Sequence, residues 1–142
     1  MRPSAPNGVA ARTPGTPAVE DNRAVSASVL IVDDHPSFRA SARRMLEASG
    51  YSVVGEAADG EAAIAAAGTL APDLILLDVQ LPDLDGFEVA TRIAALADAA
   101  PAIVLTSSRD LTDFGDAVAE SPARGFIAKS ELSSETFAEL AG

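Results

Sequence analysis

Four places in this chain put side chains suited to phosphate or cation chemistry directly after a short apolar run. Asp33 and Asp34 follow Ser28-Val29-Leu30-Ile31-Val32, and Asp78 follows Leu74-Ile75-Leu76-Leu77. Thr106 follows Ala102-Ile103-Val104-Leu105, and Lys129 follows Gly125-Phe126-Ile127-Ala128. Carboxylates gathered in one cleft repel each other and take raised pKa values unless a cation neutralises them. Oxygen-only ligands favour a hard ion, and Mg2+ typically takes one or two carboxylates plus waters and phosphate oxygens. A lysine ammonium and a threonine hydroxyl suit an anion such as a phosphoryl group. The chain has no Cys for acyl transfer, no paired Ser and His, and no phosphate-cradling glycine loop. What remains is an Asp carboxylate attacking phosphorus, with Mg2+ and lysine neutralising the transferring group.

That chemistry requires the four run ends to meet. Runs of four or five apolar residues read as strands buried on both faces of a parallel sheet. Pro36 suits the first position of a helix, on which Phe38, Ala42, Met45 and Leu46 recur at helical spacing and which Gly50 closes. Tyr51 to Glu56 reads as a strand. Asp59-Gly60 opens an Ala-rich helix with Ile64 as its large apolar residue, stopped by Gly68 and Pro72. Asp85 caps the next helix with Glu88 reaching back from N3, and Val89, Ile93, Leu96 and Ala97 form its buried stripe. Asp110 caps a short helix with Leu111, Phe114 and Val118 on one face and Gly115 inside it, which costs about 1 kcal/mol relative to Ala. Leu132 and Phe137 flank Ser133 as a hydrophobic staple on a last helix of about two turns. Five strand–helix alternations predict a doubly wound α/β domain with right-handed crossovers, whose ligand edge is the carboxyl end of the strands.

Composition supports one such domain. The chain has 142 residues, of which 48% are hydrophobic, but only five Phe, one Tyr and no Trp, so the core is aliphatic. Residues 1–27 carry four prolines without hydrophobic period and read as a disordered tail; residues 28–142 read as the domain. A net charge of −11 argues against a nucleic-acid surface and against anionic membranes. No apolar run approaches a bilayer span and no signal peptide is present, so a cytoplasmic location is expected.

The ordered set resembles the receiver domain of two-component response regulators over about residues 28 to 142. It is carried by Leu30-Ile31-Val32-Asp33-Asp34, by Leu76-Leu77-Asp78-Val79-Gln80-Leu81-Pro82-Asp83-Leu84-Asp85-Gly86, by Thr106, and by Gly125-Phe126-Ile127-Ala128-Lys129-Ser130-Glu131-Leu132. The resemblance implies a flavodoxin-like five-stranded parallel sheet of order 2-1-3-4-5. It implies that Asp78 takes a phosphoryl group from a sensor histidine kinase or phosphotransfer protein. It also implies that Asp34, Asp78 and the Gln80 carbonyl bind Mg2+, with Asp33 assisting through water. Lys129 then pairs with the phosphoryl oxygens, Thr106 engages the phosphorylated form, and Phe126 stands at the rotating switch position. A monomer or a weak phosphorylation-dependent dimer follows, acting on a protein output partner.

Three residues depart from the family pattern: Ser107, Ser130, where proline is common and a cis bond correspondingly less secure, and the early end at Gly142. The Lys-Ser-Glu-Leu wording is closest to receivers that precede a helix-turn-helix domain, so a stand-alone receiver or one trimmed from a longer gene is expected. His35 before Pro36 reads as a cap or surface residue, and Asp83 and Asp85 as turn and cap. A Mg2+-dependent aspartyl-phosphate phosphatase is the competing enzyme reading, disfavoured because Gln80 stands where such enzymes carry their acid/base Asp. A phosphate-independent adaptor is disfavoured by the complete acidic set.

Overall fold

The computed structural model describes residues 27–96 and 100–142. The proline-rich stretch 1–26 and Ala97 lie outside the described residues. Strands β1 (Ser28–Val32), β2 (Ser52–Ala57), β3 (Leu74–Asp78), β4 (Ala102–Ser107) and β5 (Gly125–Ala128) alternate with helices. These are α1 (Pro36–Ala48), α2 (Gly60–Leu70), α3 (Gly86–Leu96), the one-turn α4 (Ala117–Glu120) and α5 (Ser134–Ala141). The sheet is parallel with order β2-β1-β3-β4-β5, as expected.

Alternation along the strands divides the core into two layers. Leu30, Val32, Ile75, Leu77, Ile103 and Leu105 face α2 and α3. Val29, Ile31, Leu74, Leu76, Val104 and Ile127 face α1 and α5. Both faces of β1, β3 and β4 are therefore dry, which is why these strands read as unbroken apolar runs. Phe137 of α5 is fully buried and meets Tyr51 edge-to-face at 5.3 Å, which places the staple residue in the second layer.

Helix ends follow the local chemistry, with corrections. α1 closes as a Schellman motif: Gly50 has φ 95°, its N–H donates to Glu47, and the Tyr51 N–H donates to Leu46. α2 runs through Gly68 instead of stopping there, and ends at Ala71, whose φ is 47°. Pro72 disfavours a right-handed helical conformation for the residue before it. At α3 the Asp85 side chain accepts from the Glu88 N–H at 3.0 Å, but the Glu88 carboxylate pairs with Arg92 at 2.9 Å and not with the cap. Val89, Ala90 and Ile93 are buried along α3, whereas Leu96 is 57% exposed and drops out of the expected stripe.

The expected helix after Asp110 is two pieces. Leu111–Phe114 is a 3-10 turn, and α4 is a separate single turn. Gly115 between them has φ 58° and ψ −127°, outside any helical region, so it breaks the run it was expected to sit within. Phe114 and Val118 pack on the first layer, while Leu111 is exposed.

Candidate functional site

Parallel register brings the four run ends to one edge. Asp78 lies opposite Thr106, and Thr106 lies opposite Ile127, two residues before Lys129. Val32 pairs with Leu77, so Asp33 leaves β1 beside Asp78. Lys129 reaches back across β4: its Nζ lies 2.6 Å from Asp33 Oδ2 and 3.2 Å from Asp78 Oδ2. The two carboxylates are almost fully buried. The ammonium also stands 4.3 Å from the centroid of the Phe38 ring, a cation–π contact that holds it over the cleft.

The loops at this edge are pinned by backbone hydrogen bonds. Asp78 Oδ1 accepts the Gln80 N–H at 2.9 Å, the Val79 N–H donates to the Thr106 carbonyl at 2.9 Å, and the Gly86 N–H donates to the Val79 carbonyl at 2.6 Å. A Cβ on Gly86 would lie 2.5 Å from the Asp78 carbonyl oxygen and 2.6 Å from Val79 Cα. Only glycine lets the loop fold this tightly over the strand end. Asp83 does more than turn the chain. Its carboxylate accepts the Gly60 and Glu61 N–H groups at 2.7 and 3.0 Å, while Asp59 takes the Ala62 N–H at 2.8 Å. The loop after β3 thereby caps α2, whose first amide groups need acceptors. Those bonds hold the Asp83 carboxyl below its usual pKa.

On the opposite side, Asp33 Oδ1 accepts the His35 N–H at 2.8 Å and contacts His35 Nδ1 at 2.9 Å. The same Nδ1 lies 3.1 Å from Asp34 Oδ1. His35 occupies the N-cap position of α1, yet its side chain makes no capping bond. Its ring, well exposed, turns to the two carboxylates instead, so of the expected cap or surface residue the structure shows the surface one. Arg39 donates to the Asp33 carbonyl at 2.6 Å and to Glu56 at 3.0 Å, tying the loop after β1 to β2.

Charge at the edge is unevenly distributed. Burial pushes the Asp78 carboxyl up to about 6; the Gln80 N–H and Lys129 oppose that rise, and the neighbouring Asp33 adds to it. Burial also works to raise Asp33, but Lys129, His35 and Asp78 outweigh it and hold this carboxyl below the usual range. Lys129 is pulled down by its own burial, and its two carboxylate partners more than reverse that. Burial and pairing thus act in opposite senses on the two buried carboxylates, lowering Asp33 and raising Asp78, while Lys129 is held above its usual value.

The donor set fits a divalent cation. Asp33, Asp34, His35 and Asp78 each offer one ligand atom, all within 4.8 Å of one another. Asp33 Oδ2 is buried and makes no hydrogen bond of acceptable geometry, its near neighbour being the Lys129 ammonium. Four of the residues singled out from sequence, Asp33, Asp34, Asp78 and Lys129, are therefore brought together. The Gln80 backbone adjoins them. Thr106 is buried, and its hydroxyl donates to the Ile127 carbonyl at 2.6 Å. Phe126 is partly buried against the first core layer. It packs 5.6 Å from Phe114, which in turn meets Phe87 of α3 at 5.7 Å. Sequence reasoning missed Arg39, the capping role of Asp83 and the Phe38 platform. Phe38 carried only a core-helix signal, and nothing local distinguishes a ring that also faces an ammonium. Ser107 is fully buried, with its Oγ accepting the Arg109 N–H at 3.1 Å. No cis peptide occurs among the described residues, and Lys129–Ser130 is trans.

The sequence profile of the response regulator receiver domain matches residues 29–140. The chain belongs to the response regulator receiver family. Among curated relatives of this receiver, the transcriptional regulatory protein PdtaR of Mycobacterium tuberculosis is 40% identical over 99 residues, 68% of this chain and 48% of PdtaR. The transcriptional regulatory protein YdfI of Bacillus subtilis is 36% identical over 109 residues, 76% of this chain and 50% of YdfI. The receiver spans about half the length of these relatives. A two-component response regulator of the LuxR family from Aurantimonas superposes with a TM-score of 0.72 at 33% identity, covering 82% of this chain and 86% of that one. The receiver domain of a Pseudomonas aeruginosa sensor histidine kinase, solved with magnesium coordinated in its active-site cleft, gives 0.71 at 27% identity, over 81% and 94% of the two chains. Among the described residues, no helix of the receiver is long and apolar enough to cross a membrane.

Proposed function

We propose that this receiver, acting through residues 28–142, is a phosphorylation-driven switch in which Asp78 accepts a phosphoryl group from a phosphohistidine on a sensor kinase or phosphotransfer protein. The observation that carries this reading is Lys129, whose ammonium touches both buried carboxylates across an intervening strand. A structural ion pair could be had on the surface at far lower desolvation cost. Asp34, Asp78 and the Gln80 carbonyl would hold Mg2+, with Asp33 assisting through water. When bound, the ion offsets the negative charge of the transferring group.

In the transfer, a carboxylate oxygen of Asp78 forms a bond to phosphorus as the phosphorus–nitrogen bond of the donor breaks, and the donor imidazole keeps its nitrogen lone pair. Lys129 balances charge on the phosphoryl oxygens. The Gln80 N–H keeps the Asp78 side chain oriented. Thr106 then exchanges its Ile127 partner for a phosphoryl oxygen, which draws the chain after β4 inward. That movement is transmitted to the face formed by the 3-10 turn, α4 and β5, where Phe126 and Phe114 meet, and so to a protein partner. The receiver acts on no other substrate.

Acetyl phosphate labelling read by intact mass tests the assignment. Wild type gains one phosphoryl group in the presence of Mg2+, and Asp78→Asn gains none. Equal labelling of both proteins would refute it.

A further inference from the structure

Two carboxylates cap the start of α2, and they come from different elements. Asp59, just before the helix, accepts the Ala62 N–H at 2.8 Å. Asp83 stands at the tip of the loop between β3 and α3, and accepts the Gly60 N–H at 2.7 Å and the Glu61 N–H at 3.0 Å. Its Oδ1 also accepts the Leu84 N–H at 2.9 Å, so one side chain bonds both to α2 and to its own loop. Packing closes the same joint. A Cβ on the buried Gly60 would lie 2.9 Å from Val89 Cγ2 and 3.0 Å from Leu84 Cβ, so the helix start is seated on the loop and on α3. At its base the loop is closed by the Gly86 N–H bond to the Val79 carbonyl and by an isolated antiparallel bridge between Gln80 and Asp85. Gln80 therefore belongs to the last pair of the base, next to the tip that Asp83 ties down.

We infer that Asp83 is a positioning residue for the proposed phosphoryl transfer: by tying the loop tip to α2, it holds the Gln80 backbone where its N–H orients Asp78 and its carbonyl can meet Mg2+. The inference rests on the reading of Asp78 as phosphoacceptor. The Asp83 carboxylate bonds to backbone amides of α2 and of its own loop, so it acts through Gln80 and not on the reacting atoms. An isolated bridge has no adjoining ladder to hold it, and with the tip released the Gln80–Asp85 pair is free to fray. The Gln80 N–H, which donates to Asp78 Oδ1 at 2.9 Å, then wanders with it. Small displacements of this kind are costly, since a misplacement of about 1 Å can lose about a hundredfold in rate. Without Asp83, α2 keeps the cap that Asp59 supplies, while the loop loses its tie. The two caps of one helix thus serve different ends: both hold α2, and only Asp83 couples it to the acceptor.

Calorimetric titration with Mg2+, acetyl phosphate labelling and denaturant unfolding of the full chain, in wild type, Asp83→Ala, Asp83→Asn and Asp59→Ala, test this. Asp83→Ala should bind Mg2+ about tenfold more weakly and label about tenfold more slowly. Asp83→Asn keeps a carbonyl oxygen for the Gly60 N–H and should recover most of both. Asp59→Ala removes a cap from the same helix and should lower the unfolding midpoint much as Asp83→Ala does, yet leave Mg2+ affinity and labelling within about twofold of wild type. Wild-type Mg2+ affinity and labelling in Asp83→Ala, or equal losses in Asp59→Ala, would reduce Asp83 to a helix cap and overturn the positioning role alone. Equal labelling of wild type and Asp78→Asn would overturn the phosphoacceptor reading and the Asp83 role with it.

Discussion

Two consecutive crossover regions of this receiver are built in opposite ways. α3, after β3, buries Gly86, Val89, Ala90 and Ile93, and its entry loop is bonded to β3, β4 and α2. The stretch after β4, from Asp110 to Glu120, buries no residue fully and is broken at Gly115 into a 3-10 turn and one helical turn. Its main hold on the core is Phe114, lodged between Phe87 and Phe126. Few buried contacts mean a low local unfolding free energy. Under the proposed function, this difference separates chemistry from response: the buried carboxylates sit on the well-packed side, and the stretch proposed to move lies on the side with few buried contacts to give up.

The sharpest way to break that contrast is to damage the rigid side at its charge. Lys129→Met leaves Asp33 and Asp78 buried without their cation and should cost about 3 kcal/mol or more in denaturant unfolding at pH 7. Much of that cost should disappear at pH 5, where Asp78 takes up a proton. A variant as stable as wild type at pH 7 would mean that water reaches Asp33 and Asp78 despite their burial.

Next in size is Gly86→Ala. The added Cβ meets backbone atoms at 2.5 and 2.6 Å, so the loop over Asp78 must shift. We expect a loss of about 2 kcal/mol, within the range of overpacked positions, and slower acetyl phosphate labelling.

The pH dependence of Asp78 is smaller and opposite in sign to a favourable ion pair. Its folded pKa, about 6, exceeds the ordinary 3.8, so between these values the folded state binds more protons than the unfolded state. Its contribution to stability therefore falls as pH rises through that window and is flat above it. Asp78→Asn should be more stable than wild type at pH 8 by on the order of 1–2 kcal/mol, with the advantage shrinking toward pH 4. Denaturant midpoints at pH 8 and pH 4.5 check this. The lowered Asp33 acts in the other direction and only below its ordinary pKa.

The smallest effect belongs to the loose side. Gly115→Ala forces a side chain into φ 58°, ψ −127° and should cost about 1 kcal/mol or less globally, because the stretch can loosen locally. Deuterium exchange should show amides 110–120 opening well before those of 86–96 in wild type, and earlier still in the variant. Equal protection of the two stretches would abolish the contrast.

Much of this was legible from residue order. The apolar runs at β1, β3 and β4 announce strands dry on both faces, and their polar terminators announce an edge. Pro36 with Gly50 bounded α1 closely, because a missing N–H and a left-handed residue act within one turn. Breakers inside helices were harder to read. Gly68 was absorbed because a glycine in a helix costs only about 1 kcal/mol against the packing of its neighbours. Gly115 broke its helix because too few buried neighbours held the run together. Leu96 fits the helical period yet stands in solvent, since period describes a direction and not what lies there.

By itself, the sequence determined the strand–helix alternation, the strand ends that carry carboxylates, hydroxyl and ammonium, and the edge on which they lie, because periodicity and terminators are local properties that survive without the rest of the chain; the strand order came from the family resemblance. Only the tertiary structure decided that Lys129 spans both Asp33 and Asp78 over the Phe38 ring, that Asp83 caps a helix 23 residues earlier, and that His35 turns its ring to Asp33 and Asp34 instead of capping α1. Each of these joins groups on different elements, or chooses between local partners by the field of distant ones. Sequence spacing holds no record of such distances.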